Sequence, residues 1–248
     1  MKSMISALAL ALLAGPALAG DGYGPPVAPG LDWSGLYVGL NGGYGTGDSN
    51  YDLSTSSGAM FYNDFFDPDN VSADLDGWTA GLHAGAQKQV GRMIFGGEVD
   101  VSWTGMQSHL NASTPNTIWD IEADLEMFGT VRGRLGYLVT DRIMVYGTGG
   151  FAWGKVDAEQ RSTHLPGNIP GGVTSGEQNH FGWTLGGGAE IALTNSISLR
   201  GEYLYVDLAE EEYALRGTVS PTSKTPYVET FDAGYDFHVI RGGLSYRF

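Results

Sequence analysis

Acidic and basic residues recur at alternate positions within stretches that are otherwise apolar, and they are the first candidates for chemistry in this sequence. We group them as one set: Glu98, Asp100, Arg132, Arg134, Glu190, Arg200, Glu202 and Arg241. Buried charges of opposite sign at one level must pair or be hydrated, because an uncompensated charge in a low-dielectric interior is strongly destabilising. The set therefore predicts a salt-bridged layer that closes an interior, although the same residues could instead line a narrow path for small ions.

Histidines are the other residues that could act as bases or metal ligands, and they are His83, His109, His164, His180 and His238. Catalysis of acyl or group transfer needs a nucleophile within reach of a base. No serine or acid stands at a suitable spacing from any of the five, so we predict that the protein is not an enzyme. Haem ligation by the histidines in loops and at strand ends, together with Tyr51, Tyr62 and Tyr213, stays open, but no spacing makes it specific.

An acidic segment in the first third of the chain carries Asp67, Asp69, Asp74 and Asp76. Clustered carboxylates resemble the oxygen ligands that calcium prefers, but the twelve-residue EF-hand pattern is absent from this segment. We interpret the segment as a solvated acidic loop, and we predict no metal and no cofactor.

The elements that must position these residues are indicated by a two-residue alternation of apolar and polar side chains, which is the period of a β-strand. In the first strand Leu36, Val38 and Leu40 share one face. In the fourth, the alternation places Leu125 and Met127 on the apolar face, with Glu126 and the arginines on the other. Eight such segments follow one another between residue 33 and the C-terminus.

Connection lengths support a barrel. Tight turns are predicted near 91–92, 140–141 and 194–196, and long polar connections over roughly 47–77, 105–120, 156–179 and 209–234. Alternation of short and long connections is typical of outer-membrane barrels, which place the short turns in the periplasm. We therefore predict an all-β fold, an eight-stranded antiparallel transmembrane β-barrel with up-and-down meander topology. A soluble sandwich or lipocalin would also alternate, but its polar face would point outward.

Aromatic residues near the strand ends of the apolar face fit the interfacial girdles of such a barrel. We assign to the girdles Trp78, Trp103, Tyr137, Trp153, Trp183, Tyr203, Tyr246 and Phe248. Inward-facing glycines make room for the charged layer, and the predicted set is Gly39, Gly43, Gly81, Gly85, Gly150, Gly186 and Gly243.

Composition and the N-terminus narrow the class further. There is no cysteine, which excludes disulfide scaffolds and thiolate metal sites. The net charge of −15 argues against nucleic acid as a partner. A positive start, a short apolar run and Ala17-Leu18-Ala19 predict a signal peptide over 1–19, cut after Ala19. We predict a flexible leader over 20–31, rich in proline, and a barrel domain over 32–248.

Several stretches resemble the small OmpA-like outer-membrane barrels of alphaproteobacterial porin-family surface proteins. They are WSGLYVGLNGGYG at 33–45, FGGEVD at 95–100, GTVRGRLGY at 129–137, YGTGG at 146–150, GWT at 182–184 and LRGEYLYVD at 199–207. The resemblance implies outer-membrane residence and a structural or surface-antigen role, with some relatives described as haem-binding or porin-like. It implies no shared active site. In such families the alternate residues Leu244, Tyr246 and Phe248 are expected to be the C-terminal signal read by the barrel-assembly machinery.

The functional expectation is a structural outer-membrane barrel that contributes to envelope integrity and exposes its acidic loops at the cell surface. Its expected partners are outer-membrane lipid, lipopolysaccharide and the barrel-assembly machinery, and the sequence assigns no oligomeric state. A narrow channel for ions or small solutes, or a surface protein that binds haem or a host ligand, is the alternative.

Overall fold

The computed structural model describes residues 31–57, 71–113, 117–164, 169–220 and 223–248, which form a closed eight-stranded antiparallel barrel. The strands are β1 Gly35–Ser57, β2 Val71–Val90, β3 Met93–Ser113, β4 Thr117–Thr140, β5 Ile143–His164, β6 Ile169–Ala192, β7 Ile197–Ser220 and β8 Ser223–Arg247. Each strand pairs with its neighbour in the chain, and β8 returns to pair with β1. The predicted fold class is confirmed. The predicted signal peptide, and the leader up to residue 30, lie outside the described residues.

No helix in the described ranges is long and apolar enough to cross a membrane.

The alternation explains why these segments form a barrel with an apolar exterior. Leu36, Val38 and Leu40 are exposed on the outer surface of β1, whereas Tyr37 and Asn41 between them are buried in the lumen. The other strands likewise carry mostly large apolar side chains on the outer surface, which is the reverse of the arrangement in a soluble protein. Such a surface is stable in contact with lipid and would be costly in water.

The strands are much longer than the sequence pattern indicated, so the predicted extents of the long connections were wrong. β1 continues to Ser57 and β2 begins at Val71, although we expected a loop over 47–77. Strand likewise occupies much of 105–120, 156–179 and 209–234. A membrane-spanning strand needs about 9–11 residues, and these strands have 20 to 25. The upper halves therefore extend beyond the bilayer, where outward residues are polar and apolar alternation no longer reveals a strand.

One predicted face is also wrong in the upper half of β4. Leu125 is buried in the lumen and Glu126 is on the outer surface, the reverse of the predicted assignment. The pairing of β4 with β5 shifts register between Leu125 and Met127. A β-bulge there inserts one extra residue, and a shift of one residue moves each later side chain to the opposite face.

The aromatic girdle residues lie on the outer surface as predicted, but the upper ones are not near strand ends. Trp78 and Trp103 are exposed in the middle of their strands, and Trp183 lies similarly in β6. They mark the upper limit of the apolar band, and the paired strands continue above them. At the other end, tight turns at Gly91-Arg92 and Asp141-Arg142 agree with the prediction. Gly91 has a φ of 62°, a conformation that glycine adopts without strain.

Candidate functional site

The luminal charge layer consists of the eight charged residues singled out in the sequence, and the structure brings all of them into the barrel interior. β3 contributes Glu98 and Asp100, β4 contributes the two arginines, and β6, β7 and β8 contribute the rest. All eight are buried: Glu98, Asp100, Arg132, Arg134, Glu190, Arg200, Glu202 and Arg241. They face one another because each lies at an inward position of its strand.

Arg132 is the centre of this layer. Its guanidinium donates to Glu98 at 2.6 Å, to Asp100 at 3.0 Å and to Glu202 at 3.1 Å. One arginine on β4 therefore ties together carboxylates from β3 and β7, which are on different sides of the lumen. Charge-assisted hydrogen bonds of this kind are about twice as strong as neutral ones.

Two further arginines complete a closed network with the same three carboxylates. Arg200 forms a bidentate pair with Glu98, through N–O distances of 2.6 Å and 3.1 Å. Arg241 donates from Nε to Glu202 at 2.8 Å and from Nη1 to Asp100 at 3.0 Å. Each of the three carboxylates is therefore shared by two or more guanidiniums.

Arg134 and Glu190 form a separate ion pair beside this network. Ser198 donates to Glu190 at 2.5 Å, and Arg134 also donates to Gln87 at 3.3 Å. The guanidinium carbon of Arg134 lies 3.8 Å from the ring centroid of Tyr146, which places a cation over an aromatic face. With this pair the layer has four carboxylates and four guanidiniums, so its formal charges cancel.

Two tyrosines belong to the layer although the sequence reasoning did not include them. The Tyr37 hydroxyl donates to Glu98 at 2.9 Å, and the Tyr146 hydroxyl donates to Glu202 at 3.1 Å. Their inward position was predicted from the alternation, and a buried tyrosine hydroxyl needs a partner. That requirement could have identified them as partners of the carboxylates.

Trp33, which precedes β1, closes the periplasmic end of the lumen, and we call it the periplasmic cork. It is fully buried among Ile94, Leu138, Met144, Tyr146 and Ala192, with Leu31 packed against the same cluster. Its indole nitrogen donates to the Asp141 carbonyl at 3.0 Å, and Arg247 lies 4.7 Å from its ring centroid. The sequence reasoning missed this role because Trp33 precedes the first alternating strand.

Above the charge layer the lumen is filled by apolar side chains, which we call the upper apolar cluster. Its members include Leu75, Met106, Leu125, Phe128, Val156, Leu204, Val206, Leu208, Tyr235, Phe237 and Val239. Phe128 and Phe237 meet edge to face with centroids 5.4 Å apart. The sequence predicted the charged layer, but this layer occupies only the part of the lumen between the periplasmic cork and the upper apolar cluster. The bulge that turns Leu125 inward could not be read from the alternation, whereas Met106 keeps the inward parity of Glu98 and Asp100 on β3.

The outer surface above the apolar band is acidic. Asp74, Asp48, Asp236 and Asp207 are successive cross-strand partners on β2, β1, β8 and β7. Burial and the neighbouring Asp236 raise the pKa of Asp207, and burial and Asp48 raise the pKa of Asp236. Of the four aspartates that suggested a calcium-like cluster, Asp67 and Asp69 lie outside the described residues.

Lys155 organises a second acidic patch on β4, β5 and β6. Its ammonium lies 2.7 Å from Glu126 and 3.1 Å from Glu177. These partners raise the pKa of Lys155, and the hydrogen bond from Lys155 lowers the pKa of Glu126. Burial and the adjacent Glu126 carboxylate raise the pKa of Asp157 to about 6.

The histidines are spread over different strands and faces. His83 is in the lumen with Nε2 2.9 Å from the Ser245 hydroxyl. His180 is buried on the inner face of β6 against Tyr235, whereas His238 is exposed on the outer surface beside Tyr203, at 2.6 Å. His109 lies 3.7 Å from Glu122. The described residues therefore bring no pair of rim histidines together as haem ligands, and the side chain of His164 lies outside the described residues.

The C-terminal residues Leu244, Tyr246 and Phe248 all face outward on β8. Leu244 is opposite Leu40 and Tyr246 is opposite Val38, so β8 pairs with β1 as the strand count required. The Phe248 amide donates to the Leu36 carbonyl at 3.0 Å, which makes the last residue part of the closing seam between β8 and β1.

Comparison with known protein sequences agrees with this architecture. The sequence model of the family described as "Outer membrane protein beta-barrel domain" matches residues 5–248. The 31 kDa outer-membrane immunogenic protein of Brucella melitensis is 34% identical over 260 residues, covering 100% of this chain and 100% of the relative. The 22 kDa outer membrane protein of Rhizobium leguminosarum bv. viciae is 26% identical, over 90% of this chain and 82% of the relative.

Among solved structures, the outer membrane protein OprG from Pseudomonas aeruginosa superposes with a TM-score of 0.53. The alignment covers 88% of this chain and 98% of OprG at 15% identity. Likeness at this level of identity concerns the fold alone.

Proposed function

The chain belongs to the outer-membrane β-barrel family, and on that premise we propose that it is a closed structural barrel that contributes to envelope integrity and carries its outer segments on the cell surface. Its location is the outer membrane, as for its relatives. Two features support the proposed role in that membrane: the filled lumen and the upper parts of the strands, which project beyond the bilayer.

The observation that supports closure is that the lumen is filled along the described length of the barrel. Trp33 and its apolar neighbours fill the periplasmic end, the charge layer fills the middle, and the upper apolar cluster fills the outer half. An eight-stranded barrel is just wide enough for side chains to fill. Opening an axial path through the charge layer would separate buried ion pairs, which costs several kcal/mol for each uncompensated charge.

Recording in planar bilayers tests this closure. The purified barrel should give no steady conductance, while a sixteen-stranded porin in the same membranes serves as the positive control, since barrels of that size leave an aqueous channel. Steady conductance from the wild-type protein, removed by substitutions in the charge layer, would instead identify a narrow ion channel and overturn the structural proposal.

Surface presentation is supported by the length of the strands and by the relatives. The strands exceed the membrane span by about ten residues, so the barrel wall forms a stalk above the outer leaflet. The Brucella relatives carry the name immunogenic, which is consistent with surface exposure here. An epitope tag inserted between Ser113 and Thr117 should bind antibody on intact cells, and a tag between Val90 and Met93 should bind only after the envelope is opened.

A structural barrel of this kind should also affect the permeability of the cell envelope and should depend on the barrel-assembly machinery. Deletion of the gene should increase permeability to large antibiotics and detergents, and expression of the wild-type chain should restore the barrier. Leu244, Tyr246 and Phe248 would be read by the barrel-assembly machinery, and lipopolysaccharide would surround the acidic outer surface, with divalent cations between the two anionic surfaces. Unchanged permeability in the deletion strain would argue against a structural contribution.

A further inference from the structure

The wall of the barrel is interrupted between β6 and β7. The two strands pair from Ala192↔Ser198 up to Gly182↔Leu208, and pairing resumes at Ser175↔Arg216. Between these points, the regular ladder between residues 176–181 of β6 and 209–215 of β7 is broken. We call this interruption the β6–β7 seam, and it is the longest among the described strand pairs.

Both borders of the seam are paired on their far sides, except for a register shift at Ala209 and Glu210 in the pairing of β7 with β8. Residues 176–181 of β6 pair without interruption with β5, from Gly176↔Ala158 to Phe181↔Trp153. Glu211 to Leu215 of β7 pair with β8. Each border therefore has a regular backbone ladder on one side only and resembles a local edge strand, which is the kind of backbone that pairs or separates most readily.

Side chains replace the missing ladder across the seam. His180 Nδ1 lies 3.0 Å from the Ala209 carbonyl oxygen and donates to it in the Nδ1–H tautomer. Gln178 Nε2 donates to the Glu212 carbonyl at 3.4 Å. The His180 ring is fully buried and meets Tyr235 edge to face at 5.0 Å between centroids. His180 is thus the best-packed bridge between the two edges.

The seam separates two different environments. On the inner side lie Val156, Leu208 and Tyr235 of the upper apolar cluster. On the outer side the exposed border residues include Glu210 and Glu212 of β7, and also Glu177 of β6, which is paired with Lys155. At the lower end of the seam and just below it, Phe181 and Trp183 mark the upper limit of the apolar band. An opening here would join the lipid headgroup region to the apolar interior without crossing the charge layer.

We propose that the β6–β7 seam is a lateral entry site, latched by His180, that admits a small cationic amphiphile from the outer leaflet into the upper apolar cluster. The acidic border attracts the positive end of such a molecule, and the apolar interior takes its hydrocarbon part. The site differs from an axial channel, because the charge layer below it stays closed.

Single cysteines test this entry route, since the natural chain contains no cysteine. Val156→Cys places a thiol behind the seam, and Leu75→Cys places one at a similar height on β2, diametrically opposite in the barrel; both native side chains are fully buried. The probes are two small thiosulfonates, one with a trimethylammonium group and one with a sulfonate. In each case the thiolate displaces methanesulfinate and forms a mixed disulfide.

In the barrel reconstituted in nanodiscs, the cationic reagent should modify Val156→Cys about tenfold faster than the anionic reagent, as expected for steering by an acidic border. Both reagents should modify Leu75→Cys slowly. Equal rates at the two thiols would indicate entry from the open end of the barrel and overturn the lateral route. Equal rates for the two reagents at Val156→Cys would overturn the preference for cations.

The latch is tested in the Val156→Cys background. His180→Ala should raise the rate about fivefold, a change in open population of the size expected when a hydrogen bond such as that to the Ala209 carbonyl is lost. His180→Asn keeps a donor near the Ala209 carbonyl and should restore the slow rate. Unchanged rates in His180→Ala, in a barrel whose circular dichroism is native, would overturn the latch. Bilayer recording of the same variants separates this inference from the closed-barrel proposal, because lateral opening leaves axial conductance absent.

Discussion

At the scale of single residues, Arg132 shows why the charge layer could be predicted in position but not in detail. Its inward face follows from the alternation with Val131 and Leu135, which the structure exposes to lipid. Its three partners come from two other strands, and their registers relative to β4 depend on turns and bulges. The alternation along one strand predicts that a side chain faces the lumen. Which charged side chains then contact one another depends on the registers between the paired strands.

Loss of Arg132 should therefore be one of the most damaging charge substitutions in the barrel. Arg132→Met leaves Glu98, Asp100 and Glu202 with fewer guanidiniums in a buried layer, and breaking such a pair from one side typically costs about 3–5 kcal/mol. Equilibrium unfolding in detergent micelles measures the loss. Arg161→Met, which removes an exposed partner of Glu159 at 2.5 Å, is the matched control and should have little effect. Similar losses for the two variants would contradict the network.

Asp157 should give the outer acidic patch a recognisable pH dependence. Its pKa is raised to about 6 by burial and by Glu126, so the folded state holds this proton more tightly than the unfolded chain does. The resulting stabilisation is present at low pH and is lost as the pH rises from about 4 towards 6. Asp157→Asn should remove that decline and be the more stable protein at pH 7.5 in denaturant titrations.

Lys155 supplies the control for this titration, since its ammonium favours the ionised carboxylates around it. Lys155→Gln should move the decline in stability to higher pH. A wild-type protein whose stability does not fall between pH 4 and 7, or an Asp157→Asn variant with the wild-type profile, would show that Asp157 does not govern it.

At the scale of elements, the strands illustrate where the apolar pattern stops being informative. The lipid-facing part of β1 was evident from Leu36 to Tyr44, because only that part must be apolar outside. Its continuation is polar on its outer face from Thr46 to Asn50, and backbone pairing with β2 and β8 maintains the strand there without an apolar surface. The exchanged faces of Leu125 and Glu126 were also not evident from the apolar pattern. A bulge is defined by the pairing of two strands, and the sequence of one strand alone gives little indication of it.

Glycine positions allow the inward and outward faces of neighbouring strands to be tested. A side chain at Gly186 of β6 would place its Cβ 2.6 Å from Leu204 Cδ2, and closer still to the Tyr203 carbonyl oxygen. Gly186→Leu should therefore overpack the lumen, at a cost of about 1–3 kcal/mol in unfolding free energy. It should also lower the folding yield in micelles.

Gly201 on β7 is the outward counterpart, because a Cβ added there meets nothing within 4 Å. Gly201→Leu adds an apolar side chain to the lipid-facing surface and should fold with wild-type yield or better. If Gly186→Leu folded equally well, the upper lumen near Leu204 would have to be looser than its burial indicates, and the closed-barrel proposal would lose its support at that level.

At the scale of the whole molecule, closure of the ring was predictable because eight alternating strands leave two edges that lipid cannot accept unpaired. The contents of the ring were only partly predictable. The charge layer was visible as charges in apolar strands, but the periplasmic cork depends on a residue outside any strand. Trp33 becomes a cork because Gly35, with a φ of 139°, turns the chain from the lumen into β1. Neither Trp33 nor Gly35 belongs to a repeating pattern of apolar and polar residues, so the sequence did not reveal the cork.

Phe248 belongs both to the predicted assembly signal and to the pairing of β8 with β1, and deleting it tests the two roles separately. Phe248 is exposed to lipid, contacts Tyr246 edge to face at 5.1 Å and donates one hydrogen bond to Leu36. Deleting Phe248 removes little buried surface, so folding from denaturant into micelles should be nearly normal, whereas the amount reaching the outer membrane of cells should fall several-fold. Phe248→Tyr keeps an aromatic terminus and should assemble normally. Because β8 must find β1 to close the ring, equal losses in micelles and in cells would mean that Phe248 acts through closure of the barrel, and normal amounts in cells would mean that the terminal residue is not read as a signal.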